Sequence, residues 1–206
     1  MNKYKYIVVE GVPGSGKEHL AKYLSERRGA RLILDQYKQN PFLNDFYMNK
    51  SRYALSTQMS FLTLRWQMLS EIMQQDLFDE SFVTNVIFER NFIYANITLL
   101  KKELELFNEL NSYFKGELPH PDLVIYLQTL PNFTNRSERN LLGETLANSL
   151  CEAYDHFFFL YNEAPVLVLR PDQLDLHDIN NLEEINAFIN QRIVGTVYFS
   201  KGGSLF

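Results

Sequence analysis

The apolar run Tyr6 to Val9 ends in Glu10 and passes directly into Gly11-Val12-Pro13-Gly14-Ser15-Gly16-Lys17. No other stretch of the chain restricts its fold so tightly. Glycines between a strand and a helix let the backbone curl until successive amides point inward, and the helix N-terminus adds partial positive charge. Lys17 contributes a point charge for the outer phosphates of a nucleotide. The segment therefore predicts a phosphate-binding loop in which Gly11, Gly14, Ser15, Gly16 and Lys17 form the cradle, with a helix opening near His19 and Leu20. Position 18 departs from the pattern, which ordinarily continues with a Ser or Thr hydroxyl for magnesium and here has Glu18. A carboxylate is a hard oxygen ligand and suits magnesium. It also repels a triphosphate, by about 4 kcal/mol at ~4 Å and an effective dielectric near 20 before screening. The alternative reading is that Glu18 only complements the helix macrodipole.

Around this loop the chain alternates strand and helix signals, the pattern of a parallel sheet covered on both faces. Five strands are expected, at Tyr6–Val9, Arg31–Leu34, Val83–Phe88, Asp122–Leu127 and Val166–Leu169. Leu55, Met59, Leu62, Trp66, Leu69 and Met73 recur at spacings of four and three and predict a long helix. A second long helix is expected from about Phe92 to Phe114, and the apolar stripes of the two could also form a subunit interface. At 206 residues, with no repeat or flexible linker, residues 1–206 are read as one α/β domain.

Composition removes several function classes. Twenty basic against twenty-five acidic side chains leave a net charge of −5, so no overall field draws the protein to nucleic acid or to anionic lipid. Cys151 is the sole cysteine, which excludes an internal disulfide and cysteine-based zinc sites. His19, His120, His156 and His177 have no metal-ligand spacing. The apolar N-terminal run is too short for a signal peptide or a membrane span, so a cytoplasmic protein is expected.

With the loop in place, the chain resembles the deoxynucleoside kinase family, in particular its bacterial deoxyadenosine/deoxyguanosine kinase branch. The similarity runs from Tyr6 to about Ile193. It is carried by IVVEGVPGSGK, LILDQYKQNPFLNDFY from Leu32 to Tyr47, RYALSTQ ending at Gln58, HPDLVIYLQ ending at Gln128, and EAYDHFFF ending at Phe159. The resemblance implies a three-layer, doubly wound P-loop fold with a five-stranded parallel sheet flanked by helices. It also implies a homodimer joined through long helices, and magnesium-dependent transfer of the ATP γ-phosphoryl group to the 5′ hydroxyl of a purine deoxynucleoside.

Carried over position by position, the resemblance makes Asp35 the base on the 5′ hydroxyl, one methylene shorter than the usual Glu. A carboxylate at the carboxyl end of a parallel strand suits that role. Taken alone, Asp35 also reads as a solvated strand-end acid. Gln58 matches the glutamine that reads the base edge, with an amide that both donates and accepts. Arg65, two helical turns on, faces the same side, and Tyr47 matches a tyrosine that contacts the sugar 3′ hydroxyl.

Two registers are open for the acidic-arginine pair after the third strand. Local composition puts it at Glu89 and Arg90, giving a magnesium ligand and a catalytic cation. Overall spacing puts it at Asn85 and Val86, where both functions are lost, and puts the family's base-contacting aspartate at Asn91. The arginine lid is reduced to Arg136 and Arg139, which read equally well as exposed helix cations. Two functions compete on this basis. One is a deoxynucleoside kinase using Lys17, Asp35 and Arg90 in transfer and Glu18 or Glu89 around magnesium. The other is an impaired relative that keeps the nucleoside pocket and serves as a binding or partner subunit.

Overall fold

The computed structural model describes residues 4–75, 81–131, 140 and 142–201. Its elements in chain order are β1 (Tyr6–Gly11), α1 (Lys17–Arg28), β2 (Arg31–Ile33), α2 (Leu43–Met48), α3 (Lys50–Gln75), β3 (Phe82–Thr84) and α4 (Arg90–Thr98). They continue with α5 (Lys101–Lys115), β4 (Leu123–Leu127), α6 (Glu144–Leu160), β5 (Val166–Leu169), α7 (Ile179–Ile189) and β6 (Thr196–Tyr198). Two compact units result: one from residues 1–34, 80–87 and 120–206, the other from 35–79 and 88–119.

The first unit is a parallel sheet in the order β2-β3-β1-β4-β5-β6. β1 lies inside it, buried along its whole length, and its side chains alternate between two covering layers. Ile7 and Val9 join Ile125, Leu127, Leu167 and Leu169 beneath Leu20 and Leu24 of α1 and Leu182, Ile185 and Ile189 of α7. On the opposite face the Tyr126 ring of β4 stacks on Phe158 of α6 at 4.2 Å, and the Tyr126 hydroxyl donates to Asp155 at 2.6 Å. Burial and that bond push the Tyr126 phenol far above its ordinary pKa. Helices therefore cover both faces, as a parallel sheet requires.

The five expected strands are present, and Thr196–Tyr198 adds a sixth. It is a short edge strand whose residues are exposed or half-buried, too brief to show a period. Pairing extends past it, through the Phe199 amide to the Val168 carbonyl at 3.0 Å, and Phe199 packs edge-on against Phe188. The tail from Tyr198 therefore begins as ordered structure, and residues 202–206 lie outside the described residues. The third strand stops at Thr84 rather than at Phe88. Val86, Ile87 and Phe88 are apolar because they are buried, yet Thr84 Oγ1 donates to the Val86 carbonyl and curls the chain out of the ladder. The first helix opens at Lys17, ahead of His19.

The second unit consists of α2 to α5, with α3 packed against the other three. Its apolar stripe is buried at Leu62 and Leu69, and Trp66 meets Phe114 with ring centroids 4.9 Å apart. The side chain of Met73 lies outside the described residues. The single helix expected from Phe92 to Phe114 is broken at Leu99 and Leu100, both extended. Thr98 bonds back to the Tyr94 carbonyl at 2.7 Å, and the Glu103 carboxylate accepts from the Leu100 amide at 3.0 Å, so side chains terminate one helix and start the next.

The Tyr126–Phe158 stack gives a direct test of the α6 layer. Phe158→Ala is expected to lower the unfolding free energy by about 3–5 kcal/mol, read from urea denaturation, whereas a loss below about 1 kcal/mol would show that the ring does not bear on the core.

Candidate functional site

The phosphate loop belongs to the first unit. Gly16, the residue capping α1, has φ of 90°, a left-handed conformation that side chains disfavour. A Cβ on Gly11 would lie 2.8 Å from Ser15 Oγ and 3.0 Å from the Leu127 carbonyl oxygen, so the loop closes only with glycine there. Gly14 also has positive φ, at 80°, and Ser15 is buried with an Oγ that has no partner among the described residues. Lys17 Nζ donates to the Gly11 carbonyl at 2.7 Å, spanning the loop from its last residue to its first.

The loop is anchored by a residue that sequence reading passed over. Glu10 is fully buried at the end of β1. Its Oε1 accepts from the Gly11 amide at 2.9 Å and the Tyr154 hydroxyl at 3.2 Å, while Oε2 accepts from the Ile87 amide at 2.8 Å. A buried carboxylate is tolerated only with such partners. The signal available in the sequence was an acidic residue closing an otherwise apolar buried strand.

Glu18 is exposed in the first turn of α1 and pairs with Lys22 at 2.7 Å. This i,i+4 contact partly offsets its charge and matches the macrodipole role. Glu89 pairs with Lys115 at 2.9 Å. Asn85 is the first residue beyond β3 and is buried, as is Val86. Among the described residues no group of three His, Cys, Asp or Glu side chains is arranged to hold a metal. Both candidate carboxylates are thus engaged by lysines, and the described residues do not form a carboxylate shell for magnesium.

In the second unit Asp35 is the centre of a buried charge cluster rather than a solvated acid. Its side chain is 6% exposed. Arg65 contacts it through Nε at 3.3 Å to both oxygens and through Nη2 at 3.0 Å to Oδ2, and Arg90 Nη1 reaches Oδ2 at 2.7 Å. Arg65 Nη1 also donates to Asn91 Oδ1 at 2.7 Å, and its guanidinium lies 4.5 Å from the Phe61 ring centroid, a cation–π contact that sequence reading did not foresee. The expectation that Gln58 and Arg65 share one side of a helix agrees with their places in α3, and both are buried. Tyr47 is half-buried in α2 beside Phe46. Asn40 Nδ2 donates to the Thr57 carbonyl at 2.9 Å, tying the segment after Asp35 to α3. The structure therefore joins Asp35, Arg65, Arg90 and Asn91, while Arg136 and Arg139 lie outside the described residues.

Breaking a buried ion pair from one side leaves the other charge stranded. Asp35→Ala, which strands two guanidiniums, is expected to cost about 3–5 kcal/mol in urea denaturation; a change under about 1 kcal/mol would contradict the buried cluster.

Comparison with known proteins accords with this geometry. A family model described as "Deoxynucleoside kinase" matches residues 7–194. A deoxyadenosine/deoxycytidine kinase from Bacillus subtilis (strain 168) is 31% identical over 205 residues, covering 89% of this chain and 90% of that protein. A deoxyguanosine kinase from the same organism is 30% identical over 141 residues, covering 68% of each. Among solved structures, deoxyadenosine kinase from M. mycoides with bound dATP superposes with a TM-score of 0.71 at 21% identity, over 90% of this chain and 99% of that one. The fold is thus the P-loop fold of these enzymes, and the family match over residues 7–194 spans the loop and the Asp35 segment: the chain belongs to the deoxynucleoside kinase family.

Proposed function

We propose that residues 1–206 act as one catalytic domain, an ATP-dependent kinase that phosphorylates the 5′ hydroxyl of a purine deoxynucleoside. The observation that carries this reading is the loop itself: a cradle whose backbone only glycine satisfies at Gly11, opening α1, with Lys17 held across it. The amides of that curl and the Lys17 ammonium receive the β- and γ-phosphates of the donor. For the phosphates to enter, Lys17 exchanges the Gly11 carbonyl for a phosphate oxygen.

Asp35 supplies the acceptor chemistry. Its carboxylate accepts a hydrogen bond from the 5′ hydroxyl and takes the proton as that oxygen bonds to the γ-phosphorus and the bond to the β–γ bridging oxygen breaks, releasing ADP. Arg65 and Arg90 fix the carboxylate's position, and one of their contacts gives way to the hydroxyl. Gln58, Arg65 and Asn91 hold the nucleobase, and Tyr47 the sugar. Arg136 and Arg139 are assigned to closing over the phosphates.

Magnesium bound to the donor nucleotide would supply positive charge against its phosphates. Glu18 or Glu89 would hold it only by giving up its lysine partner, Lys22 or Lys115. Placing the acidic-arginine pair at Asn85 and Val86 favours the competing reading of a nucleoside-binding subunit without transfer. The two readings separate in one assay. Transfer of labelled γ-phosphate from ATP to deoxynucleosides is expected, falling at least 10³-fold in Lys17→Ala and at least 10²-fold in Asp35→Asn. Nucleoside binding by calorimetry without ATP binding or transfer would instead establish the impaired subunit.

The dimer reading draws on α5. Leu106, Leu110 and Tyr113 follow one another at spacings of four and three and are 48%, 38% and 67% exposed, a stripe suited to a second copy of the chain. No helix among the described residues is long and apolar enough to cross a membrane. A homodimer is proposed, in the cytoplasm as the sequence leads one to expect. The double variant Leu106→Glu, Leu110→Glu is expected to sediment as a monomer while the parent sediments as a dimer; an unchanged mass for the variant would place the interface elsewhere.

A further inference from the structure

Asn91, the second residue of α4, is fully buried. Its Oδ1 accepts from Arg65 Nη1 at 2.7 Å. A guanidinium has donors only, so an amide can meet it solely through oxygen, and the contact fixes which end of Asn91 points away. The outward end is the Nδ2 donor, and it has no acceptor among the described residues. Gln58, on the Arg65 face of α3, is 1% exposed, and its Oε1 has no donor among the described residues. A buried donor and a buried acceptor left without partners are both unfavourable. A ligand acceptor would satisfy Asn91 Nδ2, and a ligand donor would satisfy Gln58 Oε1.

We propose that Asn91 is a specificity-determining residue, selecting a ring edge in which a carbonyl oxygen stands beside an N–H, the lactam edge of a 6-oxopurine. The inference rests on the reading of Gln58 and Arg65 as nucleobase contacts. The Asn91 end of the site is rich in donors, with Nδ2 next to the Arg65 guanidinium. A carbonyl oxygen, with two lone pairs and substantial negative charge, is the group such an environment holds best. The neighbouring ring N–H then donates to Gln58 Oε1. Adenine reverses this edge, setting an amine where the donors stand. Gln58 can serve either base, through Oε1 to a ring N–H or through Nε2 to adenine N1, so the discrimination lies at Asn91, whose amide Arg65 fixes and whose donor adenine leaves unpaired. An aspartate at position 91 would offer acceptors only and invert the choice.

The test is calorimetry of the full-length chain with 2′-deoxyinosine, 2′-deoxyguanosine and 2′-deoxyadenosine, repeated on Asn91→Asp. Deoxyinosine and deoxyadenosine differ only at the edge in question, so purine size cancels. Deoxyinosine and deoxyguanosine are expected to bind the parent at least ten-fold more tightly than deoxyadenosine, and Asn91→Asp to shift that ratio at least ten-fold toward deoxyadenosine. Equal affinities, or a preference for deoxyadenosine in the parent, would overturn the assignment without any variant. A folded Asn91→Asp, verified by circular dichroism, with an unchanged ratio would overturn it as well. Failure of all three nucleosides to bind is a different result, removing the base-contact reading of Gln58 and Arg65 and the inference with it.

Discussion

The carboxylate of Glu10 governs where the phosphate loop begins. It lies at the end of an interior strand, in a place where an unpartnered charge would be prohibitive, and it is tolerated there because two backbone amides and a tyrosine hydroxyl converge on it. Through Ile87 it also ties the segment leaving β3 to the end of β1, and through Tyr154 it ties α6 to both. The curl from Gly11 to Gly16 thus starts from a fixed point on the sheet. Preorganised amides of this kind meet a phosphate without reorganising, which is the condition for strong electrostatic stabilisation.

The second unit stores charge differently. One carboxylate, Asp35, takes contacts from two arginines in a nearly dry setting. Such an arrangement is costly to desolvate and contributes little net stability, so its presence points toward function. It holds the carboxylate in place by several separate bonds, which the hydroxyl of the proposed substrate would replace one at a time. Arg65 joins this carboxylate to Asn91, so the group proposed to act on the sugar and the group proposed to read the base are fixed by one guanidinium.

Much of this was legible in the sequence where signals are dense or periodic. The glycine loop, the apolar strands and the four-three spacing of α3 all reappear in the structure because each expresses a local rule. Errors arose where burial and secondary structure part company. Val86 to Phe88 are apolar without being strand, Thr196–Tyr198 is strand without being apolar enough to notice, and the α4–α5 break depends on side-chain bonds from Thr98 and Glu103. The cluster around Asp35 had its members named in the sequence but not its pairings. Nothing local tells that Asp35 meets arginines thirty and fifty-five positions away, or that Glu18 pairs with Lys22.

The central claim is that the loop from Gly11 to Lys17 still receives a donor's phosphates with an acidic side chain at position 18. A crystal structure grown with a saturating non-hydrolysable ATP analogue and magnesium tests it most directly. The account requires β- and γ-phosphate oxygens against the amides of residues 14–17, with Lys17 Nζ moved from the Gly11 carbonyl onto them. A loop empty of analogue, with the 2.7 Å Lys17–Gly11 bond intact, would contradict it.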